Sequence, residues 1–210
     1  MTIPSPPATS ELTSFPSVVI AANVPLARIH HNLNDAEYFS SDSSGRFDPP
    51  PGSSAGFGTC YLSTHPLGAF LETFGRIRPV LQRHVDERVL TEAFLPSETR
   101  FANLTDPQIL GAYGLTAEVG VGGDEHTYAA TQRWAEALAT AGFGGVVYAA
   151  RHDPALRERS VAVFGKPGVQ PTQLLARPAT HIPEWLVDRA GDEYGIEVLP
   201  SVPVSGAHYY

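Results

Sequence analysis

Arg46, Tyr61 and Glu72 follow one another at short spacing, each on a different kind of predicted element. Arg46 stands in Ser44-Gly45-Arg46-Phe47-Asp48-Pro49, a polar and turn-rich stretch. Tyr61 stands in Thr59-Cys60-Tyr61-Leu62-Ser63, which reads as a strand, and Glu72 in Leu71-Glu72-Thr73-Phe74, part of a helical pattern. A guanidinium makes charge-assisted, often bidentate hydrogen bonds to phosphate that lysine does not reproduce. A flat ring stacks, and a carboxylate accepts from sugar hydroxyls and opposes developing positive charge. Together these types suit a ligand with phosphates, a ring and a sugar. Each residue also has a plainer reading. Glu72 and Arg76 lie at i, i+4, where a surface pair is worth roughly 0.3–0.5 kcal/mol. Arg46 can anchor a loop, Arg28 can be a solvated arginine on a strand, and Tyr61 can simply pack within one.

The elements that must position these residues are short. The 19 prolines and 19 glycines in 210 residues impose many turns. Residues 1–17 are rich in Pro, Ser and Thr and are expected to be loose, leaving 18–210 as the folded unit. Residues 18–20 and 26–30 read as strands, and Pro49–Pro51 forbids a helix in the loop after them. After the strand at 59–62, Ser63 or Thr64 is placed to cap a helix starting near Pro66. Leu67, Phe70, Leu71 and Phe74 recur at i, i+3, i+4 and i+7, one apolar stripe, with Gly68 and Ala69 leaving room one turn before Glu72. Strands are expected at 88–94 and 100–104, a short helix from Thr105-Asp106-Pro107 to Tyr113, and a flexible loop at Gly120–Gly123 that could act as a lid. The longest helical pattern, 124–141, stops at Gly142. Strands at 145–150 and 160–164, a helix at 183–194 and a strand at 196–199 complete the chain. Strands do not alternate regularly with helices, so the class is α+β.

A formal charge of −8 argues against a nucleic-acid coat, which needs a basic face, but not against a small anionic ligand. Beyond roughly 8–10 Å the distant acids are screened, so local arginines dominate their own site. Cys60 is the single cysteine, which rules out an intramolecular disulfide and fits a reducing cytoplasm. No run of about 18 apolar residues suggests a membrane span. His30, His31, His65 and His84 match no common zinc spacing, so no metal is expected. The glycine-rich loop lacks the Gly-Lys-Ser/Thr of a phosphate-binding loop.

Several motifs in order resemble one family. They are Ala27-Arg28-Ile29-His30, Gly45-Arg46-Phe47-Asp48-Pro49, Tyr61-Leu62-Ser63 and Ala69-Phe70-Leu71-Glu72. Then come Tyr128-Ala129-Ala130-Thr131-Gln132-Arg133-Trp134-Ala135, Gly145-Val146-Val147-Tyr148-Ala149-Ala150-Arg151 and Ser160-Val161-Ala162-Val163-Phe164. This set resembles RES-domain proteins, the toxin half of Xre–RES toxin–antitoxin modules, over roughly residues 25–200. The resemblance implies a fold similar to ADP-ribosyltransferase toxins, with small mixed or antiparallel sheets and flanking helices around an NAD cleft. It also implies cleavage of the nicotinamide–ribose bond of NAD, with phosphate, water or a protein side chain as acceptor, and an Xre-type antitoxin as partner.

On that resemblance Glu72 takes the family's glutamate role, Arg28 and Arg46 the arginine role, and Thr131 the serine position. Threonine keeps the hydroxyl but adds a methyl and stiffens χ1. The implied catalytic set is Glu72, Arg46 and Thr131; the implied NAD-binding set is Arg28, Arg46, Tyr61, Glu72 and Arg151. Glu72 would stabilise an oxocarbenium-like ribosyl centre, as carboxylates do in glycoside hydrolysis. The arginines would hold the pyrophosphate, Tyr61 would stack beside the ribose, and Thr131 would orient a phosphate or the nucleophile. For Thr131, on a stripe with Thr127, Trp134 and Leu138, a hydroxyl back-bonded to its own helix is the plainer account. For Arg151, at the end of an apolar strand, capping that strand competes with a phosphate contact. Two other functions stay open: ADP-ribosylation of a protein target, and an inactive RES fold that only binds.

Overall fold

The computed structural model describes residues 3–77, 79–121 and 125–201. Its strands are β1 (Ser17–Ile20), β2 (Leu26–His31), β3 (Tyr38–Phe39), β4 (Gly58–Ser63), β5 (Val80–Leu81), β6 (Arg88–Phe94) and β7 (Thr99–Asn103). They continue with β8 (Gly145–Ala149), β9 (Arg159–Gly165), β10 (Gly168–Val169), β11 (Leu175–Ala176), β12 (Thr180–His181) and β13 (Val198–Leu199). The helices are α1 (Pro66–Phe74), α2 (Gln82–Asp86), α3 (Gln108–Tyr113), α4 (Glu118–Val121), α5 (Glu125–Thr140) and α6 (Glu184–Tyr194). The α+β class expected from the irregular order of elements is what forms.

Eight strands follow the order β1-β7-β8-β9-β4-β2-β6-β11, and β12 also pairs with β6, giving a nine-stranded mixed sheet. Two-stranded pairs β10–β3 and β13–β5 stand beside it. Within the large sheet β7 and β8 run parallel, joined through α3, α4 and α5. One weak join matters for everything below. β2 pairs with β6 along its whole length but meets β4 only at Ala27↔Ser63. Past that point β2 and β4 splay apart, and a polar cleft opens in the gap between them.

The core explains how helices reach that gap. Leu67, Phe70, Leu71 and Phe74 are all buried, as the stripe on α1 predicts, and pack with Leu186 and Ala190 of α6. Each such side chain contributes roughly 1.5–3 kcal/mol on burial, enough to hold a nine-residue helix that would not persist alone. Trp134, Ala135 and Leu138 of α5 pack against β8 and the N-terminal segment. Gly142, with φ of 87°, follows the end of α5.

Three local expectations are corrected. Residues 9–14 form a 3-10 helix rather than a loose arm, burying Leu12 and Phe15 beside Trp134, while Trp134 Nε1 donates to the Pro4 carbonyl at 2.8 Å. The two apolar anchors were hidden by the Pro/Ser/Thr composition around them. Neither Ser63 nor Thr64 caps α1. The N-cap is His65, without a side-chain bond, Ser63 Oγ lies 3.2 Å from Ser160 Oγ, and the Thr64 hydroxyl donates to the Arg159 carbonyl. Gly120 is not in a flexible loop but in α4, where its N–H donates to the Ala117 carbonyl at 3.0 Å. Gly122, Gly123 and Asp124 lie outside the described residues.

Candidate active site

The cleft between β2 and β4 encloses about 510 Å³. Its walls bring together Arg28 and His30 from β2, Arg46 from the loop after β3, Tyr61 and Ser63 from β4, Glu72 from α1, and Tyr128 and Tyr148 from α5 and β8. Arg28, Arg46, Tyr61 and Glu72, singled out from the sequence, therefore share one cavity. Thr131 and Arg151 do not line it.

Arg46 is buried, with 7% of its surface exposed. Its Nη1 donates to the Gly120 carbonyl of α4. Its guanidinium carbon lies 5.7–5.9 Å from the ring centroids of Phe47, Tyr128 and Tyr148, within the range where a cation is drawn to an aromatic face. Nε is buried without a hydrogen-bond partner. A buried cationic N–H without an acceptor is costly, and an incoming anion relieves that cost.

Glu72 does not pair with Arg76, because α1 ends at Phe74. Its Oε1 accepts the Arg151 backbone N–H at 2.6 Å. Burial pushes its carboxyl above the usual glutamate range, while the Arg151 N–H and the charges of Arg46 and Arg151 pull the other way. The Tyr148 hydroxyl is raised by burial and then by the Glu72 charge, with Arg46 opposing. Acid, cation and phenol thus act on one another across the same space.

The loop carrying Arg46 is held from all sides. Asp48, fully buried, accepts from the Gly45 N–H at 2.9 Å, the Ser40 hydroxyl at 3.0 Å and the Tyr61 hydroxyl at 2.9 Å. Burial raises its carboxyl even so. The Tyr61 oxygen in turn accepts the Phe47 N–H at 2.8 Å. Gln132 Nε2 donates to the carbonyls of Ser43 and Gly45 at 2.8 and 2.9 Å. A β-carbon at Gly45 would sit 2.4 Å from the Tyr61 hydroxyl oxygen, so the turn needs glycine for space.

These contacts give three of the expected site residues structural partners as well. Thr131 is fully buried, and its hydroxyl donates to the Arg46 carbonyl at 2.7 Å, with the Tyr128 and Thr127 carbonyls at 3.1 and 3.2 Å. It touches the loop that carries Arg46, not the cavity. Arg28 lines the cavity, but its Nη1 donates to the carbonyls of Ala36 and Tyr38 and to Cys60 Sγ, tying the chain after β2 to β4 across the splay. Arg151 reaches Glu72 through its backbone N–H.

Sequence reasoning gave Tyr128, Tyr148, Asp48, Gln132 and His30 no role in the cleft. All five lie inside the quoted motifs, so the signal was present, but nothing local marked their direction. His30 Nε2 lies 2.9 Å from the Thr91 hydroxyl, and burial first of all lowers its pKa, so it lines the cleft as a neutral ring. Among the described residues no group of three or more His, Cys, Asp and Glu side chains is arranged to hold a metal ion.

A protein-family model described as RES domain matches residues 25–185. No curated protein sequence matches the chain. Among solved structures, a chain in the crystal structure of the M. tuberculosis MbcT–MbcA toxin–antitoxin complex superposes with a TM-score of 0.63 at 17% identity, over 85% of this chain and 93% of that one. At that identity the likeness speaks for the fold.

Proposed function

The chain belongs to the RES-domain family, and on that premise we propose that it is an NAD-cleaving toxin whose cleft an antitoxin partner covers. The observation that carries this reading is the placement of Glu72 and Arg46 in one cavity, walled by Tyr61, Tyr128 and Tyr148. The volume of about 510 Å³ falls within the roughly 300–1,000 Å³ of small-molecule sites.

The chemistry follows from the groups. Cleavage breaks the bond between ribose C1′ and the nicotinamide nitrogen, and the bonding pair neutralises the pyridinium, so no strong acid is needed at the leaving group. The ribosyl centre becomes cationic, and Glu72 opposes that charge in a site where water screens it poorly. The Arg151 N–H fixes one carboxylate oxygen; the other is left to accept a ribose hydroxyl. Arg46 binds the pyrophosphate through its unpartnered Nε edge, and the tyrosine rings bracket the substrate. Arg28 serves chiefly to hold the wall, with its remaining nitrogens toward the phosphates. An oxygen nucleophile then bonds to C1′ and gives up its proton to solvent or, for phosphate, retains an anionic oxygen.

The toxin role is supported by the family and by the toxin–antitoxin complex with which the fold superposes; an Xre-type partner and a cytoplasmic site of action belong to the same proposal. Among the described residues no helix is long and apolar enough to cross a membrane. The test is nicotinamide release from NAD by the purified protein, with and without inorganic phosphate, beside Glu72→Gln. Release that falls at least about a hundredfold in Glu72→Gln is expected, as for loss of a transition-state charge contact. Dependence on phosphate identifies phosphorolysis. Release unaffected by Glu72→Gln overturns the assignment, and a mass increase on a protein target in place of free product identifies a transferase.

A further inference from the structure

Behind the wall that holds Arg46 lies a second cavity of about 340 Å³. It opens between α3, α4 and the ends of β8 and β9. Its lining is mainly apolar, with Leu104, Ile109, Leu115, Val121 and Ala149 forming the walls. Gly120, whose carbonyl accepts from Arg46, lines this second cavity as well. One residue thus lines the second space and anchors Arg46, which lines the first.

The rim carries two features that an unused surface gap does not need. Leu110 and Leu156 line the cavity while remaining 58% and 41% exposed. Leu156 is held at φ of 52°, a left-handed backbone that costs a leucine roughly 1–2 kcal/mol. Asp153 enforces it. Its carbonyl accepts the Leu156 N–H at 3.0 Å, and its carboxylate accepts the N–H groups of Ala155 and Glu158 at 3.0 and 2.7 Å. The loop therefore presents an exposed leucine in a fixed position.

Beside it stands Arg159, also on the lining. Its Nη1 donates to the Leu156 carbonyl and lies 3.5 Å from that of Glu158. Among the described residues no carboxylate lies within 4.0 Å of its guanidinium, since it is absent from the four ion pairs present. Asp106 lines the cavity too, but its Oδ1 is turned to the Gln108 N–H that begins α3, at 2.8 Å. An apolar pocket with one cation and no paired anion selects an organic anion with an apolar body.

We infer that this second cavity binds a small aromatic or branched aliphatic carboxylate, its body among the leucines and its carboxylate on Arg159, and that occupancy stiffens the Gly120 anchor of Arg46. Coupling between two sites requires an element that both contact, and α4 is that element. The site stands apart from the NAD reading, because its binding is measurable without any turnover.

The experiment titrates 3-phenylpropionate into the full chain by calorimetry, with 3-phenylpropanol as the uncharged comparison. Saturable one-to-one binding is expected, weakened at least about tenfold by Arg159→Gln and by loss of the charge in the alcohol, the scale of one charge-assisted hydrogen bond. Ala117→Phe, which places a ring from an exposed position into the cavity, is expected to abolish it. Both variants should keep the wild-type melting temperature, which shows that they fold. Amide hydrogen exchange across 118–121 should slow on binding. No saturable binding, or binding that survives Ala117→Phe, overturns the site; binding without slowed exchange at 118–121 overturns the coupling to Arg46.

Discussion

Thr131→Val separates the accounts of the residue at the family's serine position. Valine keeps the branched shape and removes only the hydroxyl. If that hydroxyl is merely back-bonded to its helix, through the Thr127 and Tyr128 carbonyls at 3.2 and 3.1 Å, little is lost, because helix N–H groups already serve those oxygens. The change should then stay within about 0.5 kcal/mol. The shorter contact says otherwise. At 2.7 Å the Arg46 carbonyl accepts from Thr131 across 85 residues of sequence, and the site is fully buried. Removing the donor leaves a buried carbonyl unpaired, at a cost of about 1–3 kcal/mol. For a chain of this size each kcal/mol lowers Tm by about 2–4 °C. The urea midpoint should fall accordingly with an unchanged slope, and Thr131→Ser should restore most of it. An unchanged midpoint in Thr131→Val refutes the argument and returns the hydroxyl to its own helix. Full stability with lost NAD turnover also refutes it, because the hydroxyl would then be acting on the ligand.

Gly45→Ala should destabilise the Arg46 loop by about 1–3 kcal/mol in urea unfolding, since the new methyl would lie 2.4 Å from the Tyr61 oxygen and 2.6 Å from Asp48 Oδ1; a neutral substitution would mean that the loop is not tightly built. Glu72 is raised chiefly by burial, so turnover should fall with decreasing pH at values above the ordinary glutamate range, as the carboxylate protonates and loses the charge that opposes the ribosyl cation. A raised carboxyl favours folding below its unfolded pKa, and that contribution is lost as pH rises through the folded value, so Glu72→Gln at neutral pH should melt no lower than wild type. A Tm drop of more than about 3 °C in that variant would contradict the sign. Burial pushes the Cys60 thiol up to about 11, leaving about one thiolate in a thousand at pH 8, so labelling of the native protein should be slow and become fast in urea; fast native labelling would place Cys60 outside the core.

What the sequence makes legible and what it conceals divide along a physical line. The α1 stripe is set by side chains three and four apart on one helix, and all four of its residues are buried as the spacing requires. β4 is equally local: Cys60 and Leu62 turn to one core cluster and Tyr61 to another, which period two demands. Glu72 follows from the helix once α1 is placed against β2. The cleft itself follows from nothing local. It exists because β2 leaves β4 after a single paired position while staying on β6, a choice between partners far apart in sequence. The bonds that Arg28 and Thr131 make were hidden for the same reason. Residue type said what each could bond, but the acceptors that took those bonds, the Ala36 and Arg46 carbonyls, come from a turn and a loop whose positions only the assembled sheet fixes. Tyr148 shows the converse. It reads as one more apolar position in β8, yet its ring underlies Arg46 and its hydroxyl feels Glu72. A polar atom on an otherwise apolar strand therefore identifies a site only when the facing elements are known. In this chain those elements are the Arg46 loop and α1, held together around Glu72 and Arg46 by bonds that span the chain.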